Sequence, residues 1–387
     1  MYQLIARPSR DTAHRLFTRL ATEAPVHWDP YTKTWLIAER TAATEVLNNP
    51  VFSSRPDRLF HPDLNADNTV LAELLGRQLM FLDGPAHSGP QRAVGRVLSP
   101  RRVRRIADDI GTLTAQACHG LQDGGTLDIV GDVAVPVPLR VISRLLGLPP
   151  TDDRELLAMS QAYVRVITGI DRTTDDRTLA TVGSFLDYAL DIVRYKRRVP
   201  ADDGISELIA HMDALDGLDD RDIAANLVML ISAGHQTTSG LIAGAVLNWF
   251  AAPREGHASA RGESVDIETE LAQVSPSQFI GRTATADHRI GDHHIAAGDS
   301  VLILLAAINW TADPDAPGVP RHMAFGSGPH RCPGASLARL EGQIVLDQLR
   351  RLHLVPRMND VDWSANITLP CPVSLPVIAA TPKGSHP

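Results

Sequence analysis

The chain has 387 residues, of which 44% are hydrophobic and 21% are charged, and its formal net charge at pH 7 is −8. This composition is typical of a folded globular protein, and the length alone allows one large domain or two. The net negative charge gives no general footprint for nucleic acid, so we expect no nucleic-acid partner.

The cysteines and the N-terminal segment indicate the compartment. Cys118, Cys332 and Cys371 are far apart and show no CxxC spacing. They therefore indicate neither a disulfide framework nor a zinc site, and they fit a reducing cytoplasm. The first twenty residues carry charges every few positions, and no run reaches the roughly 18 apolar residues of a membrane span. We expect a cytoplasmic protein without a membrane anchor.

Helical periodicity dominates the chain, and strand-like segments are fewer. In chain order, the pattern predicts a strand at 32–38, helices at 138–148 and 177–198, a long helix from about 220 to 250, strands within 288–304, a helix at 335–352 and a β-prone tail at 369–379. The fold class is therefore mainly α with a smaller β region.

The long helix has apolar arms and a polar middle. The polar residues are Ser232, His235, Gln236, Thr237, Thr238 and Ser239. Burying them costs free energy unless hydrogen-bond partners or a ligand meet them there. The alternative is a helix kinked at its Gly/Ser pair with the polar face on solvent.

The segment FGSGPHRCPG (325–334) places Cys332 just before a predicted helix. The start of a helix favours thiolate over thiol, because the helix dipole and unpaired N–H groups stabilise negative charge. Glycines at 326, 328 and 334 remove side chains, so a flat and large partner can approach the backbone closely. A macrocycle with a central iron is such a partner, and thiolate is a known axial ligand for it.

This segment resembles the haem-binding loop of the cytochrome P450 superfamily, Phe-Gly-x-Gly-x-His/Arg-x-Cys-x-Gly, at each fixed position. AGHQTT (233–238) resembles the Ala-Gly-x-Asp/Glu-Thr-Thr segment of that family's central helix. Segments 81–106 and 278–309 resemble its propionate-binding and sheet regions, in the same order along the chain. The resemblance implies one haem-thiolate domain over 1–387, with the cytochrome P450 fold and a long central helix crossing over a buried haem b.

The resemblance also implies roles for individual residues. Cys332 would be the axial ligand of the iron, and the loop would further contribute Phe325, Gly326 and Gly334. The haem propionates would be met by His87, Arg282 and His330. Arg92 is a weaker candidate, because the family usually places an arginine four residues after the histidine, where this chain has Gln91.

On the distal side, Ala233 and Gly234 would leave room for dioxygen where the central helix passes the iron. Thr237 would hold the bound dioxygen or an ordered water that delivers protons. Substrate contacts are expected from 56–80, 229–233, 277–280 and 372–375, and outside the first of these the segments carry few charges, which favours an apolar group near the iron.

The sequence departs from the family at two places. Gln236 stands where an acidic residue is usual, and an amide can orient water but cannot titrate as a carboxylate does. Gln273 stands where the Glu-x-x-Arg pattern carries its arginine, and the segment 309–322 looks too short to hold that pattern's second arginine. Glu270 could pair with Arg321, be exposed or contact Gln273. We expect a rebuilt proximal segment and weaker haem retention.

The leading interpretation is a monooxygenase that activates dioxygen and hydroxylates or oxidatively couples a small organic, peptide or carrier-bound substrate. With only three lysines against many arginines, the chain fits bacterial secondary metabolism. Because no dinucleotide fingerprint is present, electrons would come from a separate ferredoxin or flavodoxin. The basic run at 101–105 could bind this acidic partner or be a solvated helix face.

Three alternatives remain from the sequence. The glutamine at 236 favours a peroxide-dependent haem enzyme. The missing arginine of the Glu-x-x-Arg pattern favours a non-catalytic relative that acts as a partner or activator of another enzyme. A hydrolase built on Cys332 and His330 is disfavoured, because neighbours two apart on a loop rarely give a thiol–imidazole pair with its third orienting group.

Overall fold

The computed structural model describes residues 10–55, 69–121, 125–150, 152–168, 175–251, 264–313, 322–358 and 360–379. The helices are α1 (Arg10–Glu23), α2 (Arg40–Asn48), α3 (Thr69–Gly76), α4 (Gly84–Val97), α5 (Pro100–Arg105), α6 (Ala107–Ala117), α7 (Pro136–Leu146), α8 (Asp153–Ile167), α9 (Asp176–Arg198), α10 (Gly204–Asp213), α11 (Asp220–Ala251), α12 (Ile267–Val274), α13 (Leu305–Trp310) and α14 (Ala335–Arg351). The strands are β1 (Val26–Asp29), β2 (Thr34–Ile37), β3 (Phe52–Ser53), β4 (Thr126–Asp128), β5 (Ile280–Ala284), β6 (His288–Ile290), β7 (His293–Ile295), β8 (Ser300–Ile303), β9 (Leu354–Pro356) and β10 (Pro376–Ala379). The fold is mainly α, as the periodicity predicted.

The β structure forms three small sheets among the described residues. One sheet has the order β1-β2-β8-β5-β3, in which β2 and β8 run parallel and the other neighbours run antiparallel. A second sheet has the order β4-β10-β9, and β6 pairs with β7 in a hairpin. The strands predicted within 32–38, 288–304 and 369–379 all belong to these sheets. In the larger sheet β5 places Arg282 opposite Val301.

Helix α11 runs through the middle of the helical part. It packs against α7, α8, α9, α12 and α14, and its residues from Ile223 to Ser232 are all buried. His235, Thr238 and Ser239 in the polar middle are buried too. The alternative with this polar face on solvent is therefore wrong. None of the helices in the described ranges is long and apolar enough to cross a membrane.

Several buried polar side chains of α11 are hydrogen-bonded to neighbours or to its own backbone, whereas His235 Nε2 has no hydrogen-bond partner among the described residues. Asn226 Oδ1 accepts the backbone N–H of Leu79 at 2.9 Å, and Ser160 donates to Ser232 at 2.9 Å. Ser239 donates to the carbonyl of His235 one turn earlier, at 2.8 Å. These bonds offset the desolvation cost that the sequence predicted for a buried polar middle.

We predict that Gly244→Ala lowers the free energy of unfolding by about 1–3 kcal/mol, because a Cβ there would lie 2.6 Å from Cγ1 of Val274 where α11 meets α12. Gly95→Ala is the matched control: this glycine is also inside a helix, and a Cβ there meets nothing within 4 Å. It should raise the free energy of unfolding by up to about 1 kcal/mol, since alanine is the better helix former. Urea unfolding measures both, and equal stability of the two variants would contradict the close approach of α11 and α12.

Candidate active site

A cavity of about 310 Å³ separates the middle of α11 from the segment before α14. From α11 its wall includes Ala233, Gly234 and Thr237, and from the facing segment it includes Phe325 and Cys332. Most of the remaining wall is apolar. The two motifs that were singled out in the sequence, about ninety residues apart, thus meet across one cavity.

The cysteine loop is held by its own backbone. The Cys332 N–H donates to the carbonyl of Phe325 at 3.0 Å. Gly326 and Gly328 have φ angles of 66° and 71°, in the left-handed region that favours glycine. A Cβ at Gly328 would also lie 2.5 Å from the carbonyl oxygen of Leu47 on α2. The turn and the contact with α2 therefore each require glycine at 328.

Cys332 is exposed to the cavity that it lines. On balance the surrounding protein raises the pKa of this thiol by desolvation, while the Gly334 N–H and the charges of Arg331 and Arg339 act in the opposite direction. A metal ion bound to the sulfur would supply the missing stabilisation, because coordination deprotonates a thiol outright.

Nitrogen donors gather at the edge of the cavity. The rings of His87 and His330 lie 4.0 Å apart, and Ser54 Oγ lies 3.2 Å from His330 Nε2. Burial, Arg282 and His87 lower the pKa of His330 to about 3, against the effect of Asp83. Burial lowers the pKa of Arg282 to about 10, which leaves its guanidinium charged at neutral pH. Two neutral imidazoles and one cation therefore face this edge.

These groups fit an anionic ligand. His87 Nε2 is buried and has no hydrogen-bond partner among the described residues. Arg282 Nη1 donates to the carbonyl of the neighbouring Gly281 at 2.7 Å. The propionate carboxylates of a haem would accept hydrogen bonds from these buried donors, and the haem ring would lie between Cys332 and α11.

Arg92 lies apart from this group. Its side chain is exposed and is not part of the cavity wall, whereas Gln91 is. Gln91 Nε2 lies 3.4 Å from the carbonyl of Pro329 and 3.3 Å from that of Arg331, and it donates to both. The structure thus places the amide, and not the neighbouring arginine, at the cysteine loop.

Successive turns of α11 contribute to the distal wall, with Ala233, Gly234 and Thr237 at its middle. Thr237 Oγ1 donates to the carbonyl of Ala233 at 3.2 Å. Gly234 lines the cavity, but a Cβ there would also lie 2.7 Å from Cγ1 of Ile142 on α7, so its size is set by helix packing as well. Gln236 is half-buried and is not among the residues that line the cavity.

Several predicted substrate contacts also reach the cavity. Met229, Leu230, Ser277 and Ile280 line it, while 372–375 do not. Of the segment 56–80, residues 56–68 lie outside the described residues, and Leu79 and Met80 line the cavity. Sequence reasoning missed Ile142, which carries no local signal because only the packing of α7 on α11 brings it there.

Comparisons with known proteins identify relatives of the whole chain. No family model matches the chain. Cytochrome P450 126 of Mycobacterium tuberculosis, a putative assignment in its own name, is 31% identical over 380 residues, which cover 91% of this chain and 90% of that protein. Vitamin D(3) 25-hydroxylase of Pseudonocardia autotrophica is 30% identical, with 87% and 85% covered. The crystal structure of ligand-free Mycobacterium smegmatis CYP164A2 matches with a TM-score of 0.82 at 27% identity, over 98% of this chain and 99% of that one.

The fold and the site define a haem-thiolate class of protein. The chain belongs to the cytochrome P450 family. It is an oxidoreductase of the cytochrome P450 monooxygenase type, and the family implies a haem-thiolate cofactor and an external source of electrons. The interpretation as a P450-like relative without catalysis is thereby set aside.

We predict that His235 makes the protein less stable in mild acid. Its Nδ1 donates to the Ile231 carbonyl at 2.8 Å, and burial lowers its pKa to about 4 against the effect of that bond. In the unfolded chain the pKa of histidine is about 6.5. The unfolded state therefore binds the proton first, and stability that is present above about pH 6.5 is lost as the pH falls towards 4.

Between about pH 7 and pH 5 this residue should account for roughly 2 kcal/mol of lost unfolding free energy. His235→Asn cannot titrate at this position. Urea unfolding at the two pH values should therefore show a smaller loss of unfolding free energy for this variant than for the wild type. His119→Asn, at an exposed histidine, should keep the pH dependence of the wild type. A pH dependence unchanged in His235→Asn would show that this imidazole is not buried in its neutral form.

Proposed function

We propose that residues 1–387 form one haem b domain that uses dioxygen to hydroxylate or oxidatively couple a small apolar substrate, free or carrier-bound, in bacterial secondary metabolism. The observation that carries the proposal is the cavity with Cys332 on one wall and Ala233, Gly234 and Thr237 on the other. A haem bound there would supply an iron centre that activates dioxygen beside the substrate.

Different residues around the cavity would bind different parts of the cofactor. Cys332 would bind the iron, and Phe325, Gly326 and Gly334 would form the surface beside it. Arg282, His87 and His330 would hold the propionates, since these are the donors gathered at the cavity edge. Among the described residues Arg92 makes no contact with this group. Gln91 would instead hold the cysteine loop, because its amide donates to the carbonyls of Pro329 and Arg331.

Thr237 is suited to accept a hydrogen bond from a proton donor, such as an ordered water, at the distal wall. Because its hydroxyl hydrogen is donated to the Ala233 carbonyl, its oxygen lone pairs remain to accept a hydrogen bond on the cavity side. Gln236 would orient water without titrating. The absence of a carboxylate at this position favours a second candidate function, the use of hydrogen peroxide in place of dioxygen and electrons.

The substrate is expected to be apolar near the iron. Met80, Met229, Leu230, Ile280 and Leu305 line the cavity. Such a wall binds by removing apolar surface from water and leaves orientation to a few polar groups. The relative named vitamin D(3) 25-hydroxylase, at 30% identity, carries an apolar substrate in its name, which supports this substrate class.

The test is the absorption spectrum of the purified protein after reduction with dithionite and addition of carbon monoxide. We expect a strongly red-shifted Soret band, because a thiolate bound to the haem iron would shift it. Cys332→Ser should lose that band, and Cys371→Ser, at a cysteine that does not line the cavity, should keep it. A band at the ordinary position in the wild type would overturn thiolate ligation by Cys332.

The same preparation distinguishes the two candidate functions. Oxidation of an apolar test compound that needs reduced ferredoxin and dioxygen supports the monooxygenase. Oxidation by hydrogen peroxide alone, at a rate that Gln236→Glu lowers, would support the peroxide-dependent enzyme.

We further propose that an acidic ferredoxin or flavodoxin binds at α5. This helix packs on α14, and Leu98 just before it lies 3.9 Å from the position of a Cβ on Gly334. Arg102 is paired with Glu207 at 2.6 Å, and Arg105 lies 3.5 Å from Asp202, so half of the basic run is already engaged. The exposed pair that remains for a partner is Arg101 and Arg104.

Reversing this pair in Arg101→Glu/Arg104→Glu should slow electron transfer from an acidic iron–sulfur ferredoxin about tenfold at low salt. Added salt should slow the wild type and narrow the difference, because it screens the attraction. Arg165→Glu, at an exposed position on α8, is the control and should keep the wild-type rate. A wild-type rate that salt does not change would contradict docking by charge.

A further inference from the structure

The glutamate that remains of the Glu-x-x-Arg pattern has neighbours away from the cysteine loop. Glu270 Oε1 accepts from Trp249 Nε1 at 2.8 Å and lies 3.9 Å from Arg350 Nη2. Arg350 also lies over the Trp249 ring, 4.8 Å from its centroid. Arg350 is fifteen residues into α14, about 22 Å along the helix from its first residue. These contacts therefore fasten the far end of α14.

A second carboxylate on α12 contacts the near end of α14. Glu268 Oε1 accepts from Arg339 Nε at 2.6 Å, and Glu268 Oε2 accepts from Arg339 Nη2 at 3.0 Å. Glu268 Oε2 also lies 3.1 Å from His322 Nε2. Arg339 belongs to the second turn of α14, and His322 precedes the cysteine loop. We call Glu268, Arg339 and His322 the Glu268 clasp.

The hydrogen bonds of His322 determine its tautomer. The Ala324 N–H donates to His322 Nδ1 at 3.1 Å, so that nitrogen carries a lone pair. Burial lowers the pKa of His322, against the effect of Glu268, which favours the neutral ring. The proton of the neutral ring must then be on Nε2, where it is donated to Glu268. The clasp thus holds one anion, one cation and one neutral donor.

The clasp reaches the cavity through Phe325. The Arg339 guanidinium carbon lies 4.5 Å from the centroid of the Phe325 ring, and the His322 ring meets the same ring edge-on at 5.7 Å. Phe325 lines the cavity, and its carbonyl accepts the Cys332 N–H. The Phe325 ring therefore contacts both nitrogen-bearing members of the clasp.

We propose that Glu268 is a positioning residue that takes over the role of the Glu-x-x-Arg arginine, whose position is occupied by Gln273. Glu268 fixes Arg339 and His322, and these two residues in turn hold Phe325 and the Cys332 loop against the haem. This inference rests on the proposed function. Arg339 binds the carboxylate with two parallel N–H groups, a geometry that fixes orientation as well as distance. This contact would fix the geometry of the cysteine loop and so keep the Cys332 sulfur on the iron even though the Glu-x-x-Arg arginine is absent.

A structural ion pair would also stabilise the fold, so the test must separate stability from haem retention. The matched control is Asp213, which accepts two N–H groups from Arg197 at 2.7 and 2.8 Å, at similar exposure, between α9 and α10. The variants are Glu268→Gln, Arg339→Gln, their double variant and Asp213→Asn. The readouts are the rate of haem transfer to excess apomyoglobin, the conversion of the carbon-monoxide Soret band to the ordinary position, and the unfolding temperature.

We expect Glu268→Gln and Arg339→Gln each to speed haem loss and band conversion about tenfold, a size typical of residues that orient metal ligands. The double variant should be no worse than either single variant, because both remove one shared interaction. Asp213→Asn should lower the unfolding temperature without changing either rate. Arg339→Lys, which keeps the charge but loses the two-point contact, should fall between the wild type and Arg339→Gln.

The inference is overturned if the wild type shows the red-shifted band and Glu268→Gln changes the two haem rates no more than Asp213→Asn does. Additive effects in the double variant would also overturn it, since they would mean that the residues act separately. A wild type without the red-shifted band is a different result, because it would overturn the proposed function together with this inference.

Discussion

The burial of a long helix that carries polar side chains is the constraint on which the rest of this structure depends. Helix α11 can lie inside the molecule because neighbours supply hydrogen bonds to its side chains, and those neighbours are thereby placed around the cavity. Asn226 fixes the backbone of Leu79, and Gln78 donates to the Ala225 carbonyl at 3.0 Å while accepting from Tyr163 at 2.7 Å. Leu79 and Met80 are cavity-lining residues because this network fixes the segment that carries them.

Local sequence was sufficient wherever the structure follows from neighbours in the chain. The helix 335–352, the strands near 288–304 and the cysteine loop each carry their signal within about twenty residues, and each forms where it was expected. The meeting of Cys332 with Thr237 across one cavity came from resemblance to a known family, since no local pattern brings segments ninety residues apart together.

Contacts between distant segments account for what the sequence did not reveal. Gly234 and Gly328 were assigned to the space around a ligand, but Ile142 and the Leu47 carbonyl also require them to lack side chains. Gln91 and Arg92 are adjacent, and only the direction of α4 decides which one reaches the loop. Arg321, offered as a partner for Glu270, lies outside the described residues. No local pattern distinguishes Glu268, because a glutamate in the first turn of a helix is common.

The distal wall links this architecture to the choice of oxidant. A carboxylate beside Thr237 would store and release a proton, whereas Gln236 can only relay hydrogen bonds through water. The Thr237 hydroxyl donates its hydrogen to the Ala233 carbonyl and keeps its lone pairs for the cavity. It can therefore accept a hydrogen bond from a proton donor, but it cannot donate a proton to the cavity without breaking its bond to Ala233. Protons must then reach the site through water or from the substrate. Hydrogen peroxide already carries the protons and electrons that dioxygen lacks. Gln236 is therefore the feature of the site that most favours hydrogen peroxide as the oxidant.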